Sequence, residues 1–220
     1  MEENFIYLFG LKLLQPGAFI TDVLIAVTTF YFYLRLKKFQ ETQCYSYFFL
    51  FMSITSMLGG FGHLLFEYTG KPLQMFGWLF NAFAIYFIEK AALKEISEGK
   101  LKNTFKIAIN VQVILYLISV FAFRNFIVVT LNTVVGMLGL VIPILSIQTF
   151  RKEGKNFLLI IVGILLSGAP ALLHKTNIGF SIFSAKEISH LILILCFYLI
   201  FTGINNVFVK RAVVERVNAN

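Results

Sequence analysis

The sequence predicts an all-α fold, a polytopic bundle of seven transmembrane helices forming a single integral membrane domain over residues 1–220. The first observation behind this prediction is composition: 58% of the residues are hydrophobic, 14% are charged and the mean hydropathy is +0.81. These values lie outside the range of soluble domains. The second observation is that apolar runs of about 20 residues, the length that crosses a bilayer, recur along the chain. The third is that Lys and Arg are concentrated on one side of these runs.

Charged residues and helix breakers set the limits of the predicted spans. The spans are 17–36, 45–66, 73–93, 104–123, 126–150, 157–174 and 185–209. The preceding segment, 4–14, is too short to cross about 30 Å of hydrocarbon at about 1.5 Å per residue. It is predicted to be an interfacial helix that stops at the Gln-Pro-Gly sequence of residues 15–17. Pro143 and Pro170 fall inside spans and predict kinks there.

The basic residues predict an orientation. Fourteen of the 19 Lys and Arg residues fall on one side of the seven spans and five on the other. By the positive-inside rule, the N-terminus is outside and the C-terminus is cytoplasmic. The same rule accounts for the net charge of +8, so we expect membrane lipids as partners and no nucleic acid.

Polar residues cluster at the predicted outer ends of the spans. All three histidines, His63, His174 and His190, lie there, at the ends of spans two, six and seven. Asp22 interrupts the first span near the same side. Ionisable groups inside membrane spans are costly and usually mark functional sites. The alternative for Asp22 is a structural role, as part of a cap at the start of the helix.

Two spacings predict a metal site. His63 and Glu67 are four residues apart and Glu187 and His190 three, so each pair lies on one face of its helix. We predict that His63, Glu187 and His190 bind zinc, and that Asp22 and Glu67 are catalytic groups that accept a proton from a zinc-bound water. The alternative is that these residues form hydrogen-bonded pairs at the headgroup level without a metal.

Three functions fit this pattern. The first is a zinc-dependent intramembrane hydrolase of lipid amides or esters. The second is a small proton-coupled carrier in which Asp22 and the histidines titrate and bind a substrate. The third is a sensor whose outer cluster binds a ligand without chemistry. The sequence has no Walker loop, no H-E-x-x-H and no G-x-S-x-G, and its seventh span has no lysine for a retinal Schiff base.

Three spans also carry a resemblance. Thr21 and Asp22, the Gly59-Gly60-x-x-His63 sequence, and Glu187-x-x-His190 followed by an apolar helix with Gly203 resemble an uncharacterised family of bacterial seven-helix membrane proteins. More distantly, the chain resembles the superfamily of alkaline ceramidases and adiponectin receptors, in which histidines of spans two and seven hold a zinc ion. This resemblance implies that His63 and His190 occupy two of the zinc positions. The first resemblance implies a location in a bacterial inner membrane.

Overall fold

The computed structural model describes residues 5–151, 156–173 and 184–209, and most of these are helical. A short hairpin precedes the helices, with strands β1 (Phe5–Leu8) and β2 (Leu11–Leu14). The helices are α1 (Pro16–Leu36), α2 (Gln43–Leu64), α3 (Phe66–Thr69), α4 (Lys71–Leu93), α5 (Lys100–Phe123), α6 (Phe126–Val134), α7 (Ile142–Phe150), α8 (Leu158–Leu166), α9 (Gly168–Leu173) and α10 (Ala185–Ile204). A 3₁₀ turn (Gln40–Thr42) precedes α2, a π-helical segment (Val135–Val141) joins α6 to α7, and a second one (Asn205–Val209) follows α10.

Among the described residues, five helical segments are long and apolar enough to cross a membrane. They are Pro16–Leu36, Gln40–Leu64, Lys100–Phe123, Phe126–Phe150 and Ala185–Phe208. Helix α4 has the length but is less apolar, and Leu158–Pro170 is a shorter apolar stretch. The helical architecture and the apolar segments are those of an integral membrane protein. The predicted spans 73–93 and 157–174 coincide with α4 and with the α8–α9 pair.

The prediction of an interfacial helix over residues 4–14 is wrong, because residues 5–14 form the antiparallel hairpin of β1 and β2. Leu8 pairs with Leu11, so the turn has two residues, Phe9 and Gly10. Their φ angles are 50° and 79°, and two positive φ values match the right-handed twist of a hairpin. Glycine accommodates this conformation without strain, whereas a helix over the same residues would need negative φ at both.

Both internal prolines lie where a helix changes, as predicted. Proline has no N–H and its ring clashes with the carbonyl four residues earlier. For Pro170 that residue is Leu166, at which α8 ends before α9 resumes at Gly168. For Pro143 that residue is Gly139, which lies inside the π-helical segment. The wider π turn thus spans the region in which a regular hydrogen bond is missing.

Helices α1, α2, α4 and α10 pack around the main core. Phe32 of α1 stacks on Phe201 of α10 with ring centroids 4.3 Å apart, and both belong to one apolar cluster. Helix α5 lies at the edge and exposes Ile107, Ile114 and Ile118, as a lipid-facing helix does. Asp22, His63 and His190 lie on three of the helices around this core, α1, α2 and α10.

Candidate functional site

Asp22 lies in the interior of α1. The helix begins at Pro16, a residue favoured in the first turn because its missing N–H has no helical partner there. Asp22 follows six residues later, about 9 Å along the axis, and is only 7% exposed. It is therefore not a capping residue, which excludes the structural alternative raised from the sequence.

His190 of α10 faces Thr21 and Asp22 of α1. Its Nδ1 lies 2.8 Å from Thr21 Oγ1 and 3.7 Å from Asp22 Oδ1. The Thr21 hydroxyl also lies within hydrogen-bonding distance of the carbonyl oxygens of Gly17 and Ala18. When that hydroxyl donates its hydrogen to one of these carbonyls, its oxygen accepts from His190 Nδ1–H. We call Thr21, Asp22 and His190 the outer polar cluster.

Two glycines bring α2 against this cluster. A Cβ atom on Gly60 would lie 3.0 Å from Asp22 Cβ, and one on Gly59 would lie 3.9 Å from Asp22 Oδ2. His63 is four residues after Gly59, so it lies on the same face of α2, one turn closer to the helix end. Its side chain is half-buried. The structure thus places His63 on the helix face that packs against Asp22.

Glu187 caps helix α10. Its Oε2 accepts a hydrogen bond from the Ser184 N–H at 2.6 Å, and the two residues form a reciprocal capping box. Its other oxygen lies where a Cβ on Gly17 would be, so the side chain packs against the start of α1. Next to it, Lys186 Nζ donates to Gln15 Oε1 at 2.8 Å. Glu187 therefore helps to dock α10 on α1, and one of its oxygens is engaged in the cap.

Glu67 lies away from the buried cluster, in the short helix α3. Its Oε2 is 3.1 Å from Lys12 Nζ of strand β2, and both side chains are partly exposed. The adjacent Tyr68 hydroxyl accepts a hydrogen bond from the Lys12 backbone N–H at 2.8 Å. These contacts fasten the hairpin to α3. In this arrangement Glu67 is an anchoring residue of the hairpin.

The five predicted site residues are thus only partly brought together. Asp22 and His190 are adjacent and His63 lies on the facing helix surface, whereas Glu187 and Glu67 make other contacts. Within residues 5–151, 156–173 and 184–209, no three His, Cys, Asp or Glu side chains form a set that could hold a metal ion. The zinc site therefore stays a prediction. His174 lies outside the described residues.

The sequence contained signals for some of this geometry. Ser184 and Glu187 form an S-x-x-E pattern before an apolar run, which is the usual signature of a capping box. The Thr21-Asp22 sequence carried part of the family resemblance, but no local pattern predicts that the Thr21 hydroxyl contacts His190. The contact between Lys186 and Gln15 has no sequence signal, because it joins residues 171 positions apart.

A family model matches residues 18–207 of this chain. The chain belongs to DUF6962, a family of unknown function. No curated protein and no solved structure matches it. The region matched by DUF6962 contains Asp22, His63 and His190 and begins after the hairpin, so the buried cluster lies within the family's shared region and the hairpin does not.

Gly60→Ala is expected to destabilise the protein, whereas Gly59→Ala is its matched control. The added methyl group at residue 60 would lie 3.0 Å from Asp22 Cβ and 3.3 Å from Phe19 Cδ2, so α1 must shift. Such overpacking costs about 1–3 kcal/mol. A Cβ on Gly59 would lie 3.9 Å from Asp22 Oδ2, an ordinary van der Waals contact. Alanine also has a higher helix propensity than glycine, so Gly59→Ala should not lower the stability. Thermal unfolding in detergent measures both; equal unfolding temperatures would contradict the close packing of α2 on Asp22.

Proposed function

We propose that the protein is a small proton-coupled membrane carrier in which Asp22 and His190 bind the coupling proton. The observation that supports this function is the carboxyl–imidazole pair buried between α1 and α10. Ionisable side chains inside spans are rare and often form proton relays in transporters. Histidine changes its charge between about pH 5 and 8. A proton bound by His190 is stabilised by the adjacent Asp22 carboxylate.

The surroundings of the pair support proton binding. Thr21 holds Nδ1 of His190 at 2.8 Å, which fixes the ring relative to the Asp22 carboxyl. The capping box of Glu187 and the bond from Lys186 to Gln15 fasten the beginning of α10 to the beginning of α1. A movement between these helix ends changes the distance between the imidazole and the carboxyl. Proton binding and helix movement are coupled in this way.

A zinc-dependent hydrolase of lipid amides or esters is the second candidate. It is favoured by the position of Asp22 beside Nδ1 of His190, because imidazoles that bind metals commonly have a carboxylate as an outer partner. His63 faces the same region from α2. Zinc bound there would supply an activated water, while Asp22 would orient the His190 ring.

The test of the carrier is a pH jump applied to reconstituted protein on a solid-supported membrane. Proton binding within the bilayer displaces charge, so the wild-type protein is expected to give a transient current even without solute. Asp22→Asn and His190→Ala remove the pair and are expected to reduce this current strongly. Glu67→Gln is the matched control, because it removes an exposed carboxylate bonded to Lys12. A current that persists unchanged in Asp22→Asn would exclude proton binding by the pair.

Metal analysis of the same preparations separates the two candidates. The hydrolase requires about one zinc per chain in the wild-type protein, with loss of zinc in His63→Ala and His190→Ala. The carrier predicts a current that is insensitive to metal chelation. Zinc at about one per chain, together with a current that Asp22→Asn leaves unchanged, would replace the carrier by the hydrolase.

A further inference from the structure

Glu89 is a second acid buried in the bundle, far from the outer polar cluster. It lies on α4, 18 residues after Lys71, and is therefore near the end of the bundle that the charge count assigns to the cytoplasm. Its exposure is 0%. Neither carboxyl oxygen has a hydrogen-bond partner, and the described residues include no ion pair to it.

Gln112, the side chain beside Glu89, also has a buried oxygen without a hydrogen-bond partner. Gln112 of α5 donates its Nε2 hydrogens to the backbone carbonyl and Oδ1 of Asn132, at 3.2 and 3.1 Å. This leaves its Oε1 buried and without a partner. A Cβ on Gly136 would contact both Glu89 Oε1 and Gln112 Nε2. The Glu89 carboxyl therefore lies beside the Gln112 amide with both of its oxygens buried and without a hydrogen bond, which is costly in an apolar interior.

The charged side chains of the neighbouring elements point elsewhere. On α4, Lys90 is exposed, with Nζ 5.2 Å from the centre of the Tyr86 ring. On α5, Lys106 lines an open cavity, and the Tyr116 hydroxyl donates to the backbone carbonyl of Trp78. None of these groups forms a hydrogen bond or an ion pair with Glu89.

The other neighbours of α4 provide no counter-charge either. The segment Phe126–Phe150, which contains α6, the first π segment and α7, has no ionisable side chain. On α2, the ionisable residues are Cys44, Tyr45, Tyr47 and His63. The Tyr45 hydroxyl is buried without a hydrogen-bond partner, and Tyr47 packs on Phe87. An ionised Glu89 would therefore be an uncompensated charge in the bundle.

We propose that Glu89 is a proton-binding site, in which the buried carboxyl group carries an exchangeable proton. The proton removes the charge and provides a hydrogen-bond donor. Gly136 allows the two side chains to meet, because any larger residue would occupy the position of Glu89 Oε1. Its location in a π-helical segment fits a functional role, since such segments are frequent at functional sites.

A cavity between α4 and α5 provides a route for proton exchange. It has a volume of about 150 Å³ and is lined by Tyr86, Lys90, Leu93, Lys106, Ile109 and Asn110. Lys90 follows Glu89 directly, and Ile109 is one turn before Gln112. The cavity therefore opens within one helical turn of both side chains. This site is independent of the function proposed for Asp22 and His190.

Labelling with the apolar reagent dicyclohexylcarbodiimide tests this proposal. The reagent takes the carboxyl proton, the carboxylate oxygen adds to its central carbon, and the adduct rearranges to an N-acylurea that mass spectrometry locates. We expect labelling of Glu89 in the wild-type protein and none at this position in Glu89→Gln. Glu98→Gln is the matched control, since Glu98 is exposed and bonded to Lys102. It should leave the labelling of Glu89 unchanged.

The pH dependence and the effect of sodium complete the test. Labelling of Glu89 should fall as pH rises, by about tenfold per pH unit above the midpoint, because the protonated fraction falls in that proportion. Glu89→Gln, which retains a donor and an acceptor, should unfold at the wild-type temperature or above, whereas Glu89→Ala should unfold at a lower one. Absence of labelling, or labelling that does not change with pH, would overturn the proposal. Protection by Na⁺ at constant pH would replace the proton by an alkali cation.

Discussion

Gly136→Ala is expected to destabilise the bundle by about 1–3 kcal/mol, the usual cost of inserting a methyl group into a filled core. The new Cβ would contact Glu89 Oε1, and would lie 2.5 Å from Ile85 Cγ2 and 2.9 Å from Gln112 Nε2. The side chains of Glu89 and Ile85 on α4 and of Gln112 on α5 must move, and Glu89 and Gln112 are separated. In a chain of this length, each kcal/mol lowers the unfolding temperature by about 2–4 °C. Thermal unfolding in detergent measures this shift.

Gly139→Ala is the matched control for that substitution. Gly139 lies in the same π-helical segment, three residues further on, and a Cβ there would meet no atom within 4 Å. Its unfolding temperature should equal that of the wild-type protein or exceed it, because alanine restricts the unfolded chain more than glycine does. If both variants lost the same stability, the cause would be the π segment itself and not the contact with Glu89.

Gly163→Ala is expected to separate α8 from α10. The added Cβ would lie 2.8 Å from Ile200 Cγ1 and 2.9 Å from the Cys196 carbonyl oxygen. Because one of these atoms belongs to the backbone, a change of side-chain rotamer cannot relieve the contact and the helix must shift. Small residues allow such close helix approach in membranes. We expect a loss of about 1–3 kcal/mol by thermal unfolding, with Gly168→Ala as the control, since it meets no atom within 4 Å.

A double variant tests whether this interface is one unit. Gly203 of α10 faces α8 in turn, with its ideal Cβ position 2.6 Å from Ile160 Cγ1 and 2.9 Å from the Ile160 nitrogen. Once the methyl group at residue 163 has moved α8 away from α10, the methyl group at residue 203 makes a weaker clash with Ile160. The combined loss in Gly163→Ala with Gly203→Ala should therefore be smaller than the sum of the single losses. Strict additivity would show that the two glycines act on separate contacts.

The sequence predicted the helical segments well and their mutual contacts poorly. Apolar runs and charges locate α1, α2, α5 and α10 within a few residues, because hydrocarbon thickness sets their length. The pairing of Asp22 with His190 depends on which helices pack together, and no local pattern records that choice. Glu89 was missed for another reason: it lies next to Lys90, so it resembled the charged boundary of a span. Its spacing of eight from Asn81, two turns along one helix face, was the signal of a buried position.

The hairpin of β1 and β2 could not be predicted from its composition. Leu11, Leu13 and Leu14 with Lys12 suit a short amphipathic helix as well as a strand, so composition alone did not decide between them. Two features favour the strand: the positive φ angles of the turn at Phe9 and Gly10, and the contacts of Lys12 with Glu67 and Tyr68. Such an anchor is a tertiary contact between residues more than 50 positions apart, and it cannot be deduced from local propensity.

The sixth apolar segment is interrupted at Ser167, and both of its pieces pack on α10. Helix α8 is nine residues long and spans only about half of a bilayer. It depends on the glycine contacts with α10, whereas α9 meets α10 where Ser189 Oγ lies 3.3 Å from the Pro170 carbonyl oxygen. The Ser167 N–H still lies 3.1 Å from the Gly163 carbonyl oxygen, so the interruption is confined to one residue. Because Ser189 directly precedes His190, the packing of α9 on α10 and the position of the imidazole depend on the same turn of α10.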